Sequence, residues 1–228
     1  MLKQEKLPDN FVLLAEHQTS GRGQMGATWQ SQKGRSLTFS VLKLIDSLEI
    51  DHRFYISKVV SLSVFETLKS YDVPELKIKW PNDILSANKK MCGILIENII
   101  QRQEIKTCIL GVGINVNEAS FNQLPNAASM KMQTGNEFAL QPVLERFIER
   151  LNVYWQWIEK KEYSKIDTLY QESLYRLNQV SVFEDTEGQK FNGIIKGVTA
   201  EGKLMVTDEN ESLLTFDLKE IKLLSGLQ

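Results

Sequence analysis

The run from Ile105 to Val116 contains Gly111-Val112-Gly113-Ile114-Asn115, and this pattern constrains the fold more than any other part of the chain. Strand alternation puts Gly111, Gly113 and Asn115 on one face and Val112, Ile114 and Val116 on the other. Glycines weaken a strand interior, and a row of them marks close approach by a ligand or another backbone. A tight sheet-packing contact would account for the glycines but explains the asparagine less well. The fold therefore needs a sheet with one apolar face and one bare face.

Other segments supply neighbours for that strand. Met91 to Ile96 reads as an adjacent strand, with Gln101-Arg102-Gln103-Glu104 as the turn between them. Phe11 to Ala15 and Leu37 to Ile45 read as two more. In Leu76 to Trp80, Leu76, Ile78 and Trp80 face one way, and Lys77 and Lys79 the other. A helix is expected after Asp51 as N-cap, with Phe54, Val59, Leu62, Phe65 and Leu68 along one side. A second runs from Pro142 through Phe147, Leu151, Trp155 and Ile158, and a third covers Ser164 to Arg176. Asn117 to Gly135 reads as a long loop. From Asn178 short strands (Val180–Phe183, Phe191–Val198, Leu204–Thr207, Leu213–Phe216) alternate with Gly or Asn/Asp turns, the pattern of a small all-β barrel. The expected division is 1–177 and 178–228.

Charge and composition exclude several function classes. With 27 Lys+Arg against 29 Asp+Glu the net charge is −2, which gives no electrostatic footprint for nucleic acid. Cys92 and Cys108 lie in apolar runs without metal-ligand spacing, and the two histidines are scattered, so buried thiols in a reducing compartment are expected. No apolar run approaches a membrane span, and Met1 to Lys6 has no signal-like character. A cytoplasmic protein with no membrane partner is the expectation.

Two further features bear on chemistry. Gly21-Arg22-Gly23-Gln24-Met25-Gly26 matches G-x-G-x-x-G after a strand, and Asp46 follows at dinucleotide-fold spacing. Yet Ala27 to Ser36 is polar, is broken by Gly34 and has no apolar helical face, which argues against a nicotinamide-dependent oxidoreductase. What remains is either a surface hairpin or a loop that brings an arginine and backbone N–H groups to an anion. The second feature is Lys79-Trp80-Pro81-Asn82-Asp83 with Lys90 shortly after. It is either an ordinary turn or mixed charge gathered beside the glycine stripe. Taken together, the features indicate a site for a small ligand plus a phosphate-bearing nucleotide.

These residues resemble biotin protein ligases. Gln18 to Trp29 is similar to the family's biotinyl-adenylate loop, Lys79 to Asp83 to its K-W-P-N-D motif, Lys90 to Glu97 to its K-x-x-G-I-L-x-E strand, and Gly111 to Asn115 to its G-x-G-I-N strand. The resemblance implies an α+β fold: a class II synthetase-like mixed sheet flanked by helices, plus a small SH3-like β-barrel at the C-terminus. It also implies ATP, biotin and Mg2+ as reactants and cofactor, and a biotin carboxyl carrier domain of a carboxylase as partner. Arg22, Lys90 and Asp83 are the implied catalytic residues. Gln18, Arg22, Gly23, Gln24, Lys90, Gly93, Gly111 and Gly113 would border biotin, and Trp29, Lys79, Asn82 and Asn115 the nucleotide. No metal ligand set is assigned, although Asp83 would be the Mg2+ contact, and Trp80 is expected to be core.

Departures from the family pattern carry their own expectations. Gln24 stands where many members have arginine, which implies a looser hold on the adenylate. Nothing before Phe11 matches the family's Ser-Thr-Asn-type segment, which implies an exposed sheet edge and a biotin pocket lacking one wall. No winged-helix domain precedes Phe11, so no operator binding is expected, and dimerisation through the sheet edge varies among members. The competing functions are a lipoate or octanoate ligase or transferase of the same fold, and a non-catalytic small-molecule binding module.

Overall fold

The computed structural model describes residues 7–121 and 124–224. Readings that fall on residues 1–6, most of the Met1–Pro8 segment, lie outside the described residues. The main sheet is built from β1 (Phe11–Ala15), β4 (Ser36–Glu49), β5 (Leu76–Lys79), β6 (Asp83–Ser86), β7 (Lys89–Gln101) and β8 (Glu104–Asn115), in the order β1-β4-β8-β7-β6-β5. Two tiny strands, β2 (Gly21–Arg22) and β3 (Thr28–Trp29), form a separate hairpin between β1 and β4. Ladders between the main strands are antiparallel, while single parallel bridges at Ile78–Leu174 and Lys90–Ala127 attach flanking segments and make the sheet mixed.

One face of this sheet carries the core. Phe39, Val112 and Ile94 stand side by side across β4, β8 and β7, all nearly fully buried. Over them lie α1 (Phe54–Lys69) and α3 (Leu140–Glu159), with the Phe39 and Phe147 rings edge-to-face at 5.0 Å. A short α2 (Met130–Thr134) precedes α3, and α4 (Tyr163–Glu172) packs beside α1.

Differences from the sequence reading have specific physical causes. The helix expected to be capped by Asp51 begins later: Ile50–His52 form a 3-10 turn, and Arg53 precedes α1 without a side-chain cap. Asp83 is not a turn residue but opens β6, which pairs back on β5. The segment 117–135 contains α2, capped by the Ser129 hydroxyl accepting from Met132 N and closed by Gly135 at φ 79°. The third helix stops at Glu172 rather than Arg176, because the Ser173 carbonyl and Tyr175 N bond with Ile78 of β5 instead.

The chain then forms a five-stranded antiparallel sheet from β9 (Val180–Asp185), β10 (Lys190–Val198), β11 (Leu204–Thr207), β12 (Leu213–Phe216) and β13 (Ile221–Leu223). Its order, β12-β11-β10-β9-β13, coils around Phe183, Ile195, Leu204, Val206 and Ile221 as a small barrel left open between β12 and β13. The unit docks through the turn at 199–203. Gly202, at φ 99°, presses against the Phe54 ring and accepts a bond from Trp80 Nε1 at 2.9 Å. Beside it, the buried Lys58 Nζ donates to Asp167 at 2.6 Å and to the Thr199 carbonyl at 3.3 Å. Trp80 is half-buried between the two cores, in line with the core reading.

Candidate functional site

The face of the sheet away from α1 and α3 is floored by small residues. Register places Ala15, Thr38, Gly113, Gly93, Asp83 and Lys79 in one row across all six strands. A second row runs Leu13, Ser40, Gly111 and Leu95. Facing residues on adjacent strands share a side of the sheet, so each row is a continuous strip. The first strip changes from small and apolar at Ala15 to charged at Asp83 and Lys79.

Two cavities lie on that floor. The first, about 490 Å3, rests on Gly93, Gly111 and Gly113 and is walled by Gln18, Arg22, Gly23 and Gln24. The second, about 870 Å3, is bordered by Lys79, Lys89, Asn115 and Arg176. Thr28, Trp29, Asp83 and Lys90 border both. Trp29 divides them: its indole lies over Gly113 and Gly93, and a Cβ at Gly113 would stand 2.8 Å from its Nε1. That Nε1 is buried without a hydrogen-bond partner among the described residues.

Charge separates the cavities. In the first, Arg22 faces Glu97 at 3.6 Å and Lys90 Nζ faces Asp83 at 2.6 Å, so each cation lies opposite a carboxylate. The Arg22 pair is exposed and contributes little to stability. In the second, among the described residues, Lys79, Lys89, Lys90 and Arg176 surround a single carboxylate, Asp83, which Lys90 already engages. Among the described residues, the other three cations have no carboxylate within ion-pair distance. Such a surface suits a multiply charged anion.

Backbone geometry holds these groups. Gly23 N donates to the Ala27 carbonyl at 2.7 Å, closing the loop around Gln24. Asn82 borders the first cavity rather than the second, and its Nδ2 donates to the Ile94 carbonyl at 2.7 Å. Asn115 borders the second, but its Nδ2 donates to the Ala128 and Lys90 carbonyls at 3.0 and 3.4 Å. Both amides therefore strap the strands that carry Asp83 and Lys90. Burial pushes the Cys92 thiol, close to Lys90, well above its ordinary range, consistent with an inert buried thiol.

Several bordering residues were not legible as site residues. Lys89 is adjacent in sequence to Lys90. Arg176 and Tyr175 belong to the connector after α4, and Leu218, Leu223 and Leu224 to the small sheet; none lies in a motif. Residues 124–127 form the outer rim of the second cavity, where Lys90 N donates to the Asn126 carbonyl at 2.7 Å and Ala128 N to the Lys90 carbonyl at 2.9 Å. Among the described residues no cluster of three or more metal-ligating side chains occurs, and no helix is long and apolar enough to cross a membrane.

Fold and site define an α+β protein with a glycine-floored cavity joined to a cation-lined one. Its family follows from comparison: the biotin/lipoate A/B protein ligase family matches residues 1–115, and the chain belongs to it. The bifunctional ligase/repressor BirA of Bacillus subtilis is 28% identical over 152 residues, covering 64% of this chain and 46% of that protein. A biotin–acetyl-CoA-carboxylase ligase of Mycobacterium tuberculosis is 34% identical over 125 residues, covering 54% of this chain and 45% of that one. The chain thus spans about half the length of these curated relatives. Among solved structures, the biotin protein ligase from Aquifex aeolicus in complex with biotin and ATP superposes with a TM-score of 0.79 at 25% identity, covering 99% of this chain and 93% of that one.

Proposed function

We propose that the chain activates biotin with ATP to biotinyl-5′-AMP and transfers the biotinyl group to a lysine of a biotin carboxyl carrier domain, as a biotin–acetyl-CoA-carboxylase ligase. The observation that carries this reading is the junction of the two cavities at Trp29, Asp83 and Lys90. A ligand lying over Gly111 beside the Trp29 indole meets a polyanion in the second cavity only there.

In the first step a carboxylate oxygen of biotin forms a bond to the α-phosphorus, and the bond to the β-phosphate oxygen breaks, releasing pyrophosphate. The barrier lies in joining two anions, so positive charge placed in advance supplies much of the catalysis. Lys90 and Arg22 are the catalytic cations. Each must exchange its present carboxylate, Asp83 or Glu97, for the reacting oxygens. Gln18, Gly23 and Gln24 border biotin, Gly111 gives it clearance, and Gly93 and Gly113 make room for the Trp29 indole beside it. Trp29 stands between the two ligands, and Lys79 meets the phosphates. Asn82 and Asn115 act through the strands they strap.

In the second step the carrier's lysine amine attacks the anhydride carbonyl carbon, AMP leaves, and the amine proton is lost. Asp83, once released from Lys90, is the carboxylate we assign to receive it. Mg2+ binds phosphate oxygens with few protein ligands, and Asp83 is the carboxylate on the second cavity that fits such a role. When bound, it would neutralise phosphate charge.

The test is exchange of labelled pyrophosphate into ATP with biotin, octanoate or no acid added. Exchange dependent on biotin supports the reading, whereas exchange with octanoate alone moves the chain to lipoate-type chemistry. Biotin binding without exchange marks a binding module.

A further inference from the structure

The cations of the second cavity come from different parts of the chain. Lys79, Lys89 and Lys90 belong to the main sheet, on β5 and β7. Arg176 arrives from the connector that joins the two units, outside every motif. Its position is held from both sides: Tyr175 N donates to the Ile78 carbonyl at 2.8 Å, and Asn178 N to the Ile195 carbonyl at 2.9 Å. The first of these bonds fixes the connector beside the residue preceding Lys79. Arg176 itself takes the left-handed conformation, φ 57°, in the turn between these two bonds. Its guanidinium lies over the Tyr175 ring at 5.5 Å, and Nε donates to the Tyr175 hydroxyl at 3.3 Å. That contact orients the fork while leaving its terminal nitrogens uncommitted to any carboxylate among the described residues.

Tyrosine stacking alone does not account for a further cation at the edge of a cavity already rich in lysine. With Lys90 engaged by Asp83, Arg176 is a third cation without a carboxylate there, and it is repulsive unless a polyanion occupies the site. Guanidinium also binds phosphate through two parallel hydrogen bonds, which an ammonium cannot do.

We infer that Arg176 binds the terminal phosphates of the nucleotide, and the pyrophosphate released from it, so that the connector to the small sheet completes the polyphosphate site. This inference rests on the proposed reading of the second cavity as the nucleotide site. It makes Arg176 a binding residue for the leaving group, distinct from Lys90 and Arg22 at the reacting carboxylate.

The experiment measures binding of inorganic pyrophosphate, ATP and AMP to the full chain by titration calorimetry. Wild type is compared with Arg176→Gln and Arg176→Lys, with thermal melts as folding controls. Expected is a roughly tenfold weaker affinity of Arg176→Gln for pyrophosphate and ATP, an intermediate loss for Arg176→Lys, and AMP and biotin affinities within about twofold of wild type. Wild-type affinity for pyrophosphate in a folded Arg176→Gln protein would overturn the inference and leave Arg176 as a residue stacked on Tyr175. If wild type binds biotin but neither ATP nor pyrophosphate, the nucleotide reading itself fails, and the inference falls with it. Should Arg176→Gln melt early, Arg176→Lys decides: unchanged pyrophosphate affinity there refutes bidentate binding.

Discussion

Glu118 is a buried carboxylate that no step of the proposed chemistry uses, and it makes stability depend on pH with an unusual sign. It is 1% exposed, at the start of the segment whose later residues rim the second cavity. The Ser36 hydroxyl donates to Oε1, Oε2 has no partner among the described residues, and the Ser129 hydroxyl donates to the Glu118 carbonyl at 2.6 Å. Burial raises the pKa to about 7, with Arg35 the charged group that partly offsets it. An unfolded glutamate titrates near ~4.3. Between those values the native state keeps a proton that the unfolded chain has lost, so stability falls as pH rises from about 4.3 and levels off above about 7. At about 1.4 kcal/mol per pH unit the ceiling is about 3–4 kcal/mol, and residual solvent access reduces it. Urea unfolding of wild type and Glu118→Gln, at pH values from about 5 to 9, isolates this contribution from the other carboxylates. The wild-type-minus-variant difference should decline with pH through that window, leaving Glu118→Gln the more stable protein at pH 8 by about 1–3 kcal/mol. A difference independent of pH, or a variant weaker than wild type at pH 8, would refute the reasoning.

Three other outcomes follow from the geometry. Gly113→Ala places a methyl against the Trp29 indole, an overpacking that costs about 1–3 kcal/mol unless the ring moves; a melting drop of a few degrees with biotin affinity reduced at least about tenfold is expected, and unaltered biotin binding would show that the stripe is not the ligand floor. Gln24→Arg should slow release of preformed biotinyl-adenylate by about tenfold through a new charge-assisted bond; an unchanged stopped-flow dissociation rate would argue against it. Asp167→Asn strands the 1%-exposed Lys58, whose pKa burial already lowers, at a cost of about 2–4 kcal/mol that partial exposure of Asp167 moderates. Adding Lys58→Met should recover part of that loss in denaturant titration, whereas simple additivity of the two changes would contradict it.

How much was legible in the sequence depended on how local the determining physics is. The β8 stripe was legible because alternation is a property of one strand, and its apolar side is indeed buried at Val112 and Ile114. The β7–β8 turn was legible from its polar run, although Arg102 and Gln103 both take positive φ without the usual Asn-Gly signal. Missed elements are those stabilised by distant partners. β6 depends on pairing with β5 and β7, and β13 has three residues that acquire strand geometry only by adding to β9. The early end of α4 reflects bonds between Ser173, Tyr175 and Ile78, nearly a hundred positions apart. For the site, motif residues came together around the two cavities, whereas Arg176, Tyr175 and the leucines of the small sheet reach it only through tertiary folding.

The row from Ala15 to Lys79 gives a physical reason why the motifs occur on different strands yet serve one site. Adjacent strands are about 4.8 Å apart, so five steps across six strands span roughly 24 Å, enough for two ligands end to end. Small residues at Thr38, Gly113 and Gly93 keep the middle of the row low, and Trp29 fills that depression between the two cavities. The charged end begins one strand later, at Asp83. An asparagine placed to strap β6 to β7, as Asn82 does through Ile94, fixes where that change of character falls. The division of labour thus runs at right angles to the strands: each strand contributes one residue to apolar contact or to charge, and register between strands aligns them. A one-residue slip between β7 and β8 would set Gly93 against a core side chain and abolish both cavities, even though every motif remained intact in sequence.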